Sequence, residues 1–392
     1  MSYKPTVRAC YLGTVCQAII INLTAILFVP LAQQFGLSYT QLGALVMVNF
    51  GVQVSVSLVF GPIVDRVGFR PFATGAHFAA VIGMGWFALA GRVPVDPYIV
   101  LLSGTVIFAF AGGFLELLLS PILNAIPTDE KSSAMCILHA FFCFGHVAVA
   151  FLTTMFLFVL GLESWPLIVL AWGLVPLING FIFAFCPIAK AVPVNEQSPA
   201  KDILKKPLFI VLVLAILFAG ASEIAFSQWT SAFLEQIIGL PKILGDIAGV
   251  GMFAAMMGVS RLGYGILKKR GVSWLPKQSR LMLIGSGLAL VCYIVMAATS
   301  SPVLALMACA LCGLGVGLLW PGVLSLSVDA FPMAGTWMFA VMAAAGSGGA
   351  SVGPSVFGVV GDGFGLRAGF MVTAVFPLGS LICLKLYHKL KP

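Results

Sequence analysis

Two glutamates stand in stretches of sequence that are otherwise apolar. Glu116 lies in the run "AGGFLELLLSPIL", and no other charged residue occurs between Pro97 and Pro127. Glu223 lies in a second apolar run, "GASEIAFSQWTSAFLE". A carboxylate removed from water is stabilised by taking up a proton, by binding a cation or by accepting hydrogen bonds from hydroxyl groups. The two glutamates are therefore the candidate residues for coupling to H⁺ or Na⁺.

Neutral polar and aromatic side chains occur in the same kind of apolar run. Amide and imidazole groups can hydrogen-bond a hydrophilic solute, and a tryptophan ring offers an apolar face to a sugar ring. The alternative is a structural role, because polar side chains also join neighbouring helices inside membrane proteins. For His139, seven residues before His146, a proton relay and a packing role stay open. The candidate substrate-binding residues, besides the two glutamates, are Asn22, Asn49, Gln53, His146, Gln228, Trp229 and Trp320.

The elements that carry these residues are predicted to be transmembrane helices. Of the 392 residues, 60% are hydrophobic and 9% are charged, whereas soluble domains have about 25% charged residues. Long apolar runs recur along the whole chain, and about 20 such residues suffice for a helix to cross a bilayer. Twelve spans fit the pattern, at 8–34, 41–64, 72–91, 97–126, 133–160, 165–188, 207–235, 244–267, 279–299, 302–328, 334–360 and 366–388.

The distribution of Lys and Arg predicts the orientation of the chain. With both termini inside, all of the 21 Lys and Arg residues except Arg92, Lys242 and Arg367 fall in inner segments. Cytoplasmic loops carry such an excess of positive charge, which explains the net charge of +8 without nucleic acid. We expect a multi-pass protein of the plasma (cytoplasmic, or inner) membrane with both termini in the cytoplasm.

The chain divides into two halves of six spans each. The polar stretch "AKAVPVNEQSPAKDILKK", residues 189–206, has the proline, serine and charge content of a linker. A glycine precedes a proline by eight residues at Gly113–Pro121 and again at Gly313–Pro321, which predicts breaks in spans four and ten. The predicted fold is an all-α membrane protein with twelve transmembrane helices. Its six-helix bundles are placed at 1–188 and 207–392, with a cytoplasmic linker at 189–206.

The loop after the second span reads "GPIVDRVGFRP" and resembles the signature loop of the major facilitator superfamily, G-x-x-x-D-R-x-G-x-R. The matching residues are Gly61, Asp65, Arg66, Gly68 and Arg70. The resemblance implies a gating latch at the inner membrane face that stabilises one of two access states. Asp65 can pair there with Arg66 or Arg70, or meet the end of a neighbouring helix. The second-half copy, "RLGYGILKKRG" from Arg261, has lysine where the acid would be.

Four further stretches resemble the fucose, galactose and hexose symporter-like branch: "LELLLSPILNAIP", "LHAFFCFGH", "GASEIAFSQWTSAFLE" and "GLGVGLLWPGVLSLSVDAFP". That branch has a glutamate before a small residue and a proline in span four, like Glu116 here. It often has an acid followed by a tryptophan in span seven, like Glu223 and Trp229, and a Trp-Pro pair in span ten, like Trp320. Some of its proton-coupled members have an aspartate in span one, where this chain has Ala25. Either Glu116 works alone, or Glu223 shares the task, or Na⁺ is the driving ion.

Other classes of function are disfavoured by the sequence. It has no Walker loop, no zinc-ligand spacing and no nucleophile elbow, so we expect neither an enzyme nor a cofactor. The cysteines lie in or beside apolar runs, and we interpret them as small buried residues. No Lys or Arg is assigned to the middle of any predicted span, which disfavours anionic substrates.

The sequence thus predicts a monomeric secondary transporter in the lipid bilayer that works by alternating access. The predicted activity is H⁺- or Na⁺-coupled uptake of a small molecule, a monosaccharide or a similar neutral polar solute. One alternative is a proton-coupled drug or metabolite exporter of the same fold. A second alternative is a non-transporting receptor with a transporter fold.

Overall fold

The computed structural model describes residues 2–37, 39–128, 130–189, 198–241 and 244–390. Throughout these ranges the regular structure is helical, and they contain no strand. Most of the predicted linker, residues 190–197, lies outside the described residues.

The first half of the chain contains seven α-helices in the described ranges, and a short 3₁₀ turn at Leu162–Ser164 precedes the last of them. The seven are α1 (Lys4–Ile26), α2 (Phe28–Phe35), α3 (Tyr39–Val67), α4 (Phe69–Phe87), α5 (Pro97–Ala125), α6 (Lys131–Leu160) and α7 (Trp165–Phe185).

The second half contains nine α-helices in the described ranges, and a π-helical segment, Gly245–Gly251, leads directly into α10. The nine are α8 (Ala200–Leu204), α9 (Pro207–Gln236), α10 (Met252–Lys269), α11 (Gln278–Ala298), α12 (Pro302–Val316), α13 (Leu319–Ala330), α14 (Gly335–Phe364), α15 (Leu366–Thr373) and α16 (Val375–Leu390).

The twelve predicted spans are confirmed as helical, with ends that differ from the prediction by a few residues. Within the described residues, 10 helical segments are long and apolar enough to cross a membrane by length and composition. The other two predicted spans correspond to α4 and α14. Both are rich in glycine and alanine, and α4 also carries Arg70 and His77, which lowers their mean hydropathy.

Within the described residues, three spans are each built from two α-helices, and a proline explains each break. Spans one, ten and twelve are interrupted at Leu27, at Gly317–Leu318 and at Ala374. Pro30, Pro321 and Pro377 follow these breaks. A proline has no amide N–H to donate to the carbonyl four residues earlier, and its ring clashes with that carbonyl. The breaks therefore lie where each helix loses that hydrogen bond.

The predicted break in span four is wrong, whereas the predicted break in span ten is confirmed. Helix α5 continues from Pro97 to Ala125 with Pro121 inside it. Most of α5 is buried among α1, α3 and α4. Neighbouring helices tolerate a proline in a transmembrane helix by packing around the distortion, and we attribute the continuity of α5 to this packing.

The chain forms two compact units. Unit 1 comprises Met1–Pro127, Phe144–Glu196 and Gly335–Ala340, and unit 2 comprises Thr128–Cys143, Gln197–Ala334 and Val341–Pro392. The first part of α6 thus belongs to unit 2, and the first six residues of α14 belong to unit 1. The predicted six-helix bundles at 1–188 and 207–392 stay a prediction.

Close helix packing inside each unit depends on glycine. In unit 1, a Cβ added to Gly83 would lie 2.6 Å from the backbone nitrogen of Phe108, which brings α4 and α5 together. In unit 2, a Cβ added to Gly313 would lie 2.1 Å from the carbonyl oxygen of Phe253. Small residues at such crossings let helix backbones approach closely in membrane proteins.

Candidate functional site

Glu116 lies in unit 1 on α5, where it is half-buried between the buried residues Leu115 and Leu117. Nine residues separate it from the end of α5 at Ala125, which is about 14 Å at the rise of an α-helix. Gly112 precedes Glu116 by one helical turn, so the two residues share a face of α5. The predicted coupling residue is therefore deep in an apolar helix and retains partial exposure.

The same face of α5 packs against α3. A Cβ added to Gly113 would lie 2.9 Å from the Cα of Gln53, and a Cβ added to Gly112 would lie 3.1 Å from the Cδ of Gln53. A larger residue at Gly113 would press on the backbone of α3, and one at Gly112 would press on the side chains of Ile20 and Gln53. The glycines thus fix the distance between α3 and the helix that carries Glu116.

A buried polar row runs along α3 at intervals of four residues. It consists of Asn49, Gln53 and Ser57, each with at most 1% of its surface exposed. The Asn49 side chain donates to the carbonyl of Ile20 over 2.8 Å, and the Gln53 side chain donates to Asn49 Oδ1 over 2.8 Å. Asn49 and Gln53 are predicted from the sequence, whereas Ser57 was missed, although the four-residue spacing could have indicated it.

The remaining candidates of the first half lie on α1 and α6. Asn22 is half-buried and donates to the carbonyl of Ala18 in its own helix over 2.8 Å. His146 is half-buried on α6 within unit 1. Asn49 joins α3 to α1 and accepts from Gln53, whereas Asn22 and His146 are more accessible.

Glu223 lies in unit 2 and forms an ion pair with Arg261. The Nη2 atom of Arg261 donates to Oε2 of Glu223 over 2.8 Å, and the side chains are 2% and 11% exposed, respectively. Ser222 and Ser227, which flank Glu223, donate instead to carbonyls of their own helix. The sequence places no Lys or Arg at the middle of a span and counts Arg261 with the inner segments, and the structure shows that this cation is buried. Arg261 is only eight residues from the end of α10, but its long side chain is buried.

Three further contacts hold the Arg261 guanidinium. Its Nε donates to the carbonyl of Gly317 over 2.7 Å. Its Nη1 donates to the carbonyl of His139 over 3.3 Å and to Sγ of Cys143 over 3.0 Å. The Gly317 carbonyl is available because the residue four positions later, Pro321, has no N–H to donate. In the sequence, this proline indicates that the carbonyl of Gly317 needs another donor, such as a side chain.

The signature loop of the first half lies against the start of α14 inside unit 1. Both carboxylate oxygens of Asp65 accept from the backbone N–H of Thr336, each over 3.1 Å. A Cβ added to Gly61 would lie 2.7 Å from the Cβ of Ala340. Of the partners that the sequence left open for Asp65, the structure places it at a helix terminus, where backbone N–H groups and the helix dipole favour an anion.

The other residues of that loop shape its turn and cap α7. Gly68 has a φ of +96°, a backbone conformation that favours glycine. Arg70 donates to the carbonyls of Phe183, Ala184 and Cys186, at the C-terminal end of α7. Arg66 is exposed. The arginines thus have separate positions, and Arg70 satisfies carbonyls that the end of a helix leaves unpaired.

The comparison with known families identifies the fold. The model of the Major Facilitator Superfamily matches residues 10–350. The chain belongs to the Major Facilitator Superfamily. Members of this superfamily are transporters and not enzymes, and they bind small-molecule solutes within a membrane. The resemblance stated for the signature loop is confirmed, and so is the fold of twelve transmembrane helices.

Individual members of the Major Facilitator Superfamily are similar over the whole chain. The multi-drug resistance efflux pump PmrA of Streptococcus pneumoniae is 25% identical over 389 residues, which cover 96% of this chain and 94% of PmrA. The structure of the E. coli fucose:proton symporter FucP has a TM-score of 0.81 at 15% identity, with 99% of each chain covered. The structure of the proton:xylose symporter XylE has a TM-score of 0.80 at 12% identity, covering 99% of this chain and 95% of XylE.

The second copy of the superfamily loop lies against the start of α6 inside unit 2. A Cβ added to Gly265 would lie 2.6 Å from Cγ1 of Ile137, and the Ser133 hydroxyl donates to the carbonyl of Gly265 over 2.5 Å. Lys269, at the position of the acid, is exposed. Helix α10 is thus joined to α6 through Gly265 and Arg261, without a carboxylate at the motif position.

The aromatic candidates of this superfamily member lie in unit 2 beside α14. Trp229 donates to the carbonyl of Pro354 over 3.1 Å and stacks on Phe357 with ring centroids 4.8 Å apart. The Trp320 ring fits against Gly346, where an added Cβ would lie 2.3 Å from it. Gln228 is exposed. The structure therefore shows packing contacts for both tryptophans and an accessible amide at Gln228.

Metal-ligand groups and cysteines add no further candidate. Within the described residues, no three His, Cys, Asp or Glu side chains are grouped so that they could hold a metal ion. The nine cysteines are buried and carry free thiols.

Proposed function

We propose that the protein is a cation-coupled uptake transporter for a monosaccharide or a similar neutral polar solute. It would work as a monomer in the cytoplasmic membrane, with both termini in the cytoplasm, by alternating access between six-helix bundles at 1–188 and 207–392. Glu116 would bind the coupling ion, H⁺ or Na⁺, and Asn22, His146 and Gln228 would contact the solute.

The observation that carries the proposal is the position of Glu116. It is half-buried, about 14 Å from the nearer helix end by the helical rise. A carboxylate at that depth is costly in hydrocarbon, by about 2.5 kcal/mol or more for acidic side chains at a span centre. An ion or solute that reaches it from water offsets this cost. Ionisable residues inside membrane proteins mark such pathways.

The charge balance of unit 2 supports a neutral solute. Arg261 is a buried cation, but Glu223 neutralises it and backbone carbonyls accept from its other nitrogens. An anionic solute would need an uncompensated cation or several free donors. Two structures with the same fold, FucP and XylE, are named as proton symporters of the neutral sugars fucose and xylose.

A second candidate function is proton-coupled export of drugs or metabolites. It is favoured by PmrA, which is named as a multi-drug resistance efflux pump and aligns over nearly the whole chain. Glu116 would then exchange a proton against an outward-moving substrate. Most of the candidate residues would be used in either case. The two functions therefore differ in whether the solute moves with the ion or in the opposite direction.

The experiment is transport into proteoliposomes that contain the purified full chain. A panel of radiolabelled hexoses, pentoses and polyols is offered, and the pH and Na⁺ gradients are imposed separately in each direction. Accumulation of one neutral solute along an inward H⁺ or Na⁺ gradient is the expected result. Accumulation of a lipophilic cationic dye against a proton gradient, with no sugar uptake, would replace the proposal with export. Solute binding without flux under every gradient would indicate a receptor.

A further inference from the structure

The connection between α10 and α11 carries a group of cations that has no acidic neighbour in the sequence. No Asp or Glu occurs between Asp246 and Asp329. Within the described residues, none of these cationic side chains forms an ion pair or a hydrogen bond, and all of them are exposed. Their positive charge is therefore available to a partner outside the chain. The group consists of Lys268, Lys269, Arg270, Lys277 and Arg280.

Two acids that are distant in sequence come near the start of this group without neutralising it. Glu130 and Asp329 interact with the hydroxyl of Tyr264, which precedes Lys268 by four residues on α10. Two carboxylates face five cations, so the surface keeps a net positive charge.

A tight turn keeps the cations together at one end of two helices. Gly271 has a φ of +64°, and its N–H donates to the carbonyl of Lys268 over 3.0 Å, which ends α10. The segments on either side, Ile247–Lys269 and Gln278–Ala298, are each long and apolar enough to cross a membrane. The short loop between them therefore lies at one membrane surface, with the cations beside the ends of two spans.

An exposed tryptophan lies in the middle of the same loop. Trp274 has 71% of its surface exposed, although a large apolar ring is unfavourable in water. Tryptophan is enriched at membrane interfaces, where the apolar body of the ring meets lipid and its N–H stays hydrated. A loop with exposed cations and an exposed tryptophan matches a layer that is negatively charged at its surface and apolar beneath.

Other cations of the chain are already bound by groups of their own unit. Arg70 donates to three carbonyls at the end of α7, and Arg261 is paired with Glu223. The Nζ atom of Lys206 lies over the Phe331 ring, 5.7 Å from its centroid. These contacts distinguish such cations from the unpaired group between α10 and α11.

We propose that the five cations and Trp274 form a binding surface for anionic phospholipid headgroups, which we call the basic loop surface. The Lys and Arg side chains donate to phosphate oxygens, and the Trp274 ring packs on the lipid beneath the headgroup. A phospholipid supplies both parts, whereas free phosphate would leave the tryptophan in water. The inference rests on the proposed function only for the side of the membrane, because the proposed topology places the loop at the cytoplasmic leaflet.

The basic loop surface can be tested by lipid binding to the purified full chain in a neutral detergent. A scintillation proximity assay gives the Kd of tritiated phosphatidylglycerol, which is anionic, and of tritiated phosphatidylcholine with the same acyl chains, which has no net charge. The test variant is Lys268→Gln/Lys269→Gln/Arg270→Gln. All three side chains are exposed, so their substitution should leave the fold intact.

A matched variant removes the same number of exposed cations from other parts of unit 2. It is Lys201→Gln/Lys205→Gln/Lys385→Gln. The two variants have the same net charge. A difference between their Kd values for phosphatidylglycerol therefore reports where the cations lie and not how many there are.

The parent is expected to bind phosphatidylglycerol at least fivefold more tightly than phosphatidylcholine. The test variant should raise the Kd for phosphatidylglycerol at least fivefold, and the matched variant should raise it less than twofold. The Kd for phosphatidylcholine should stay the same in both. Added salt should weaken the preference of the parent, because it screens exposed charges. A parent without preference, or equal losses in the two variants, would overturn the proposal.

The tryptophan distinguishes a lipid from a free phosphate. Trp274→Ala should raise the Kd for phosphatidylglycerol at least threefold, whereas Phe364→Ala, at an 83% exposed ring elsewhere in unit 2, should not. Inorganic phosphate, added at constant ionic strength, should leave the lipid bound. Displacement by inorganic phosphate, or an unchanged Kd in Trp274→Ala, would refute a surface built for lipid.

The binding assay needs neither solute nor gradient. A failure of sugar uptake therefore refutes the proposed function alone. Equal Kd values for the two lipids refute the basic loop surface alone.

Discussion

The two copies of the superfamily loop make corresponding junctions by different chemistry. In the first junction, Gly61 and Asp65 of α3 contact residues 336–340 of α14 within unit 1. In the second junction, Arg261 and Gly265 of α10 contact residues 133–143 of α6 within unit 2. A glycine makes the close helix contact in both. The charged partner is a half-buried carboxylate in the first and a buried guanidinium in the second.

The difference explains how a motif can lose its acid and keep its junction. Asp65 satisfies the N–H of Thr336 at the start of α14. In the second junction the acid position is Lys269, and the polar contact passes to Ser133 and Arg261 instead. A half-buried carboxylate at a helix terminus contributes modestly to stability. Removing one partner of a buried ion pair is strongly destabilising. Substitutions at the second junction should therefore lower stability more than substitutions at the first.

The largest effect is expected from breaking the ion pair of the second junction. Arg261→Ala leaves Glu223 buried without its partner and should lower the free energy of unfolding by about 3–5 kcal/mol. The measurement is thermal or denaturant unfolding in detergent. Arg261→Gln should lower stability in the same way, and adding Glu223→Gln to Arg261→Gln should recover most of that loss. Equal losses in the single and double variants would contradict the pairing.

The next largest effect is expected from substituting Gly61 and Gly265 by a larger residue. The rescue of these variants should distinguish the two junctions. Gly61→Ala places a methyl group against the Cβ of Ala340, at a cost of about 1–3 kcal/mol. Ala340→Gly should restore stability, because it removes the atom that clashes. Gly265→Ala also approaches the carbonyl of Ser133, at 3.1 Å. For that reason Ile137→Ala should restore the stability of the Gly265→Ala variant only in part. Full rescue at both junctions would show that they are packed alike.

A smaller effect is expected at the carboxylate of the first junction. Asp65→Ala removes the acceptor for the Thr336 N–H and should cost about 0.5–2 kcal/mol, the range for loss of a helix cap. Asp65→Asn keeps an acceptor oxygen and should cost less. Stability is measured by thermal unfolding. If Asp65→Asn is as damaging as Asp65→Ala, the negative charge and not the hydrogen bond is the stabilising element.

The smallest effect is expected at the motif position of the second junction. Lys269→Asp restores the acid of the superfamily pattern at an exposed position, and we expect a change within about 0.5 kcal/mol. The matched variant is Lys268→Asp, one residue earlier and also exposed. A clear gain in stability for Lys269→Asp alone would mean that the second junction still accommodates a carboxylate.

The spans were predicted well from the sequence because the length of an apolar run depends only on neighbouring residues. The sequence also contained the information for the breaks, since Pro30, Pro321 and Pro377 each follow one. Proline alone does not decide the outcome, because Pro121 lies inside the unbroken helix α5. Whether neighbours can pack around the distortion depends on tertiary structure, and the sequence does not show it.

The candidate site was less predictable because its contacts are distant in sequence. Asp65 and Thr336 are separated by 271 positions, so the sequence could only leave several partners open. The burial of Arg261 was not predicted, because the residue lies near a helix end, where a charged side chain can reach water. Its burial follows from partners on three other segments. Glu116, in contrast, was recognisable because a lone acid in an apolar run is a local signal.

If Glu116 carries the coupling ion, its neutral variant should fail in one of two transport assays and not in the other. Proteoliposomes with Glu116→Gln are assayed for solute accumulation under an ion gradient and for solute exchange without a gradient, beside the exposed-site control Glu163→Gln. Glu116→Gln should lose accumulation by at least tenfold and keep exchange, while the control should keep both. Accumulation by Glu116→Gln at the level of the control would contradict this role of Glu116.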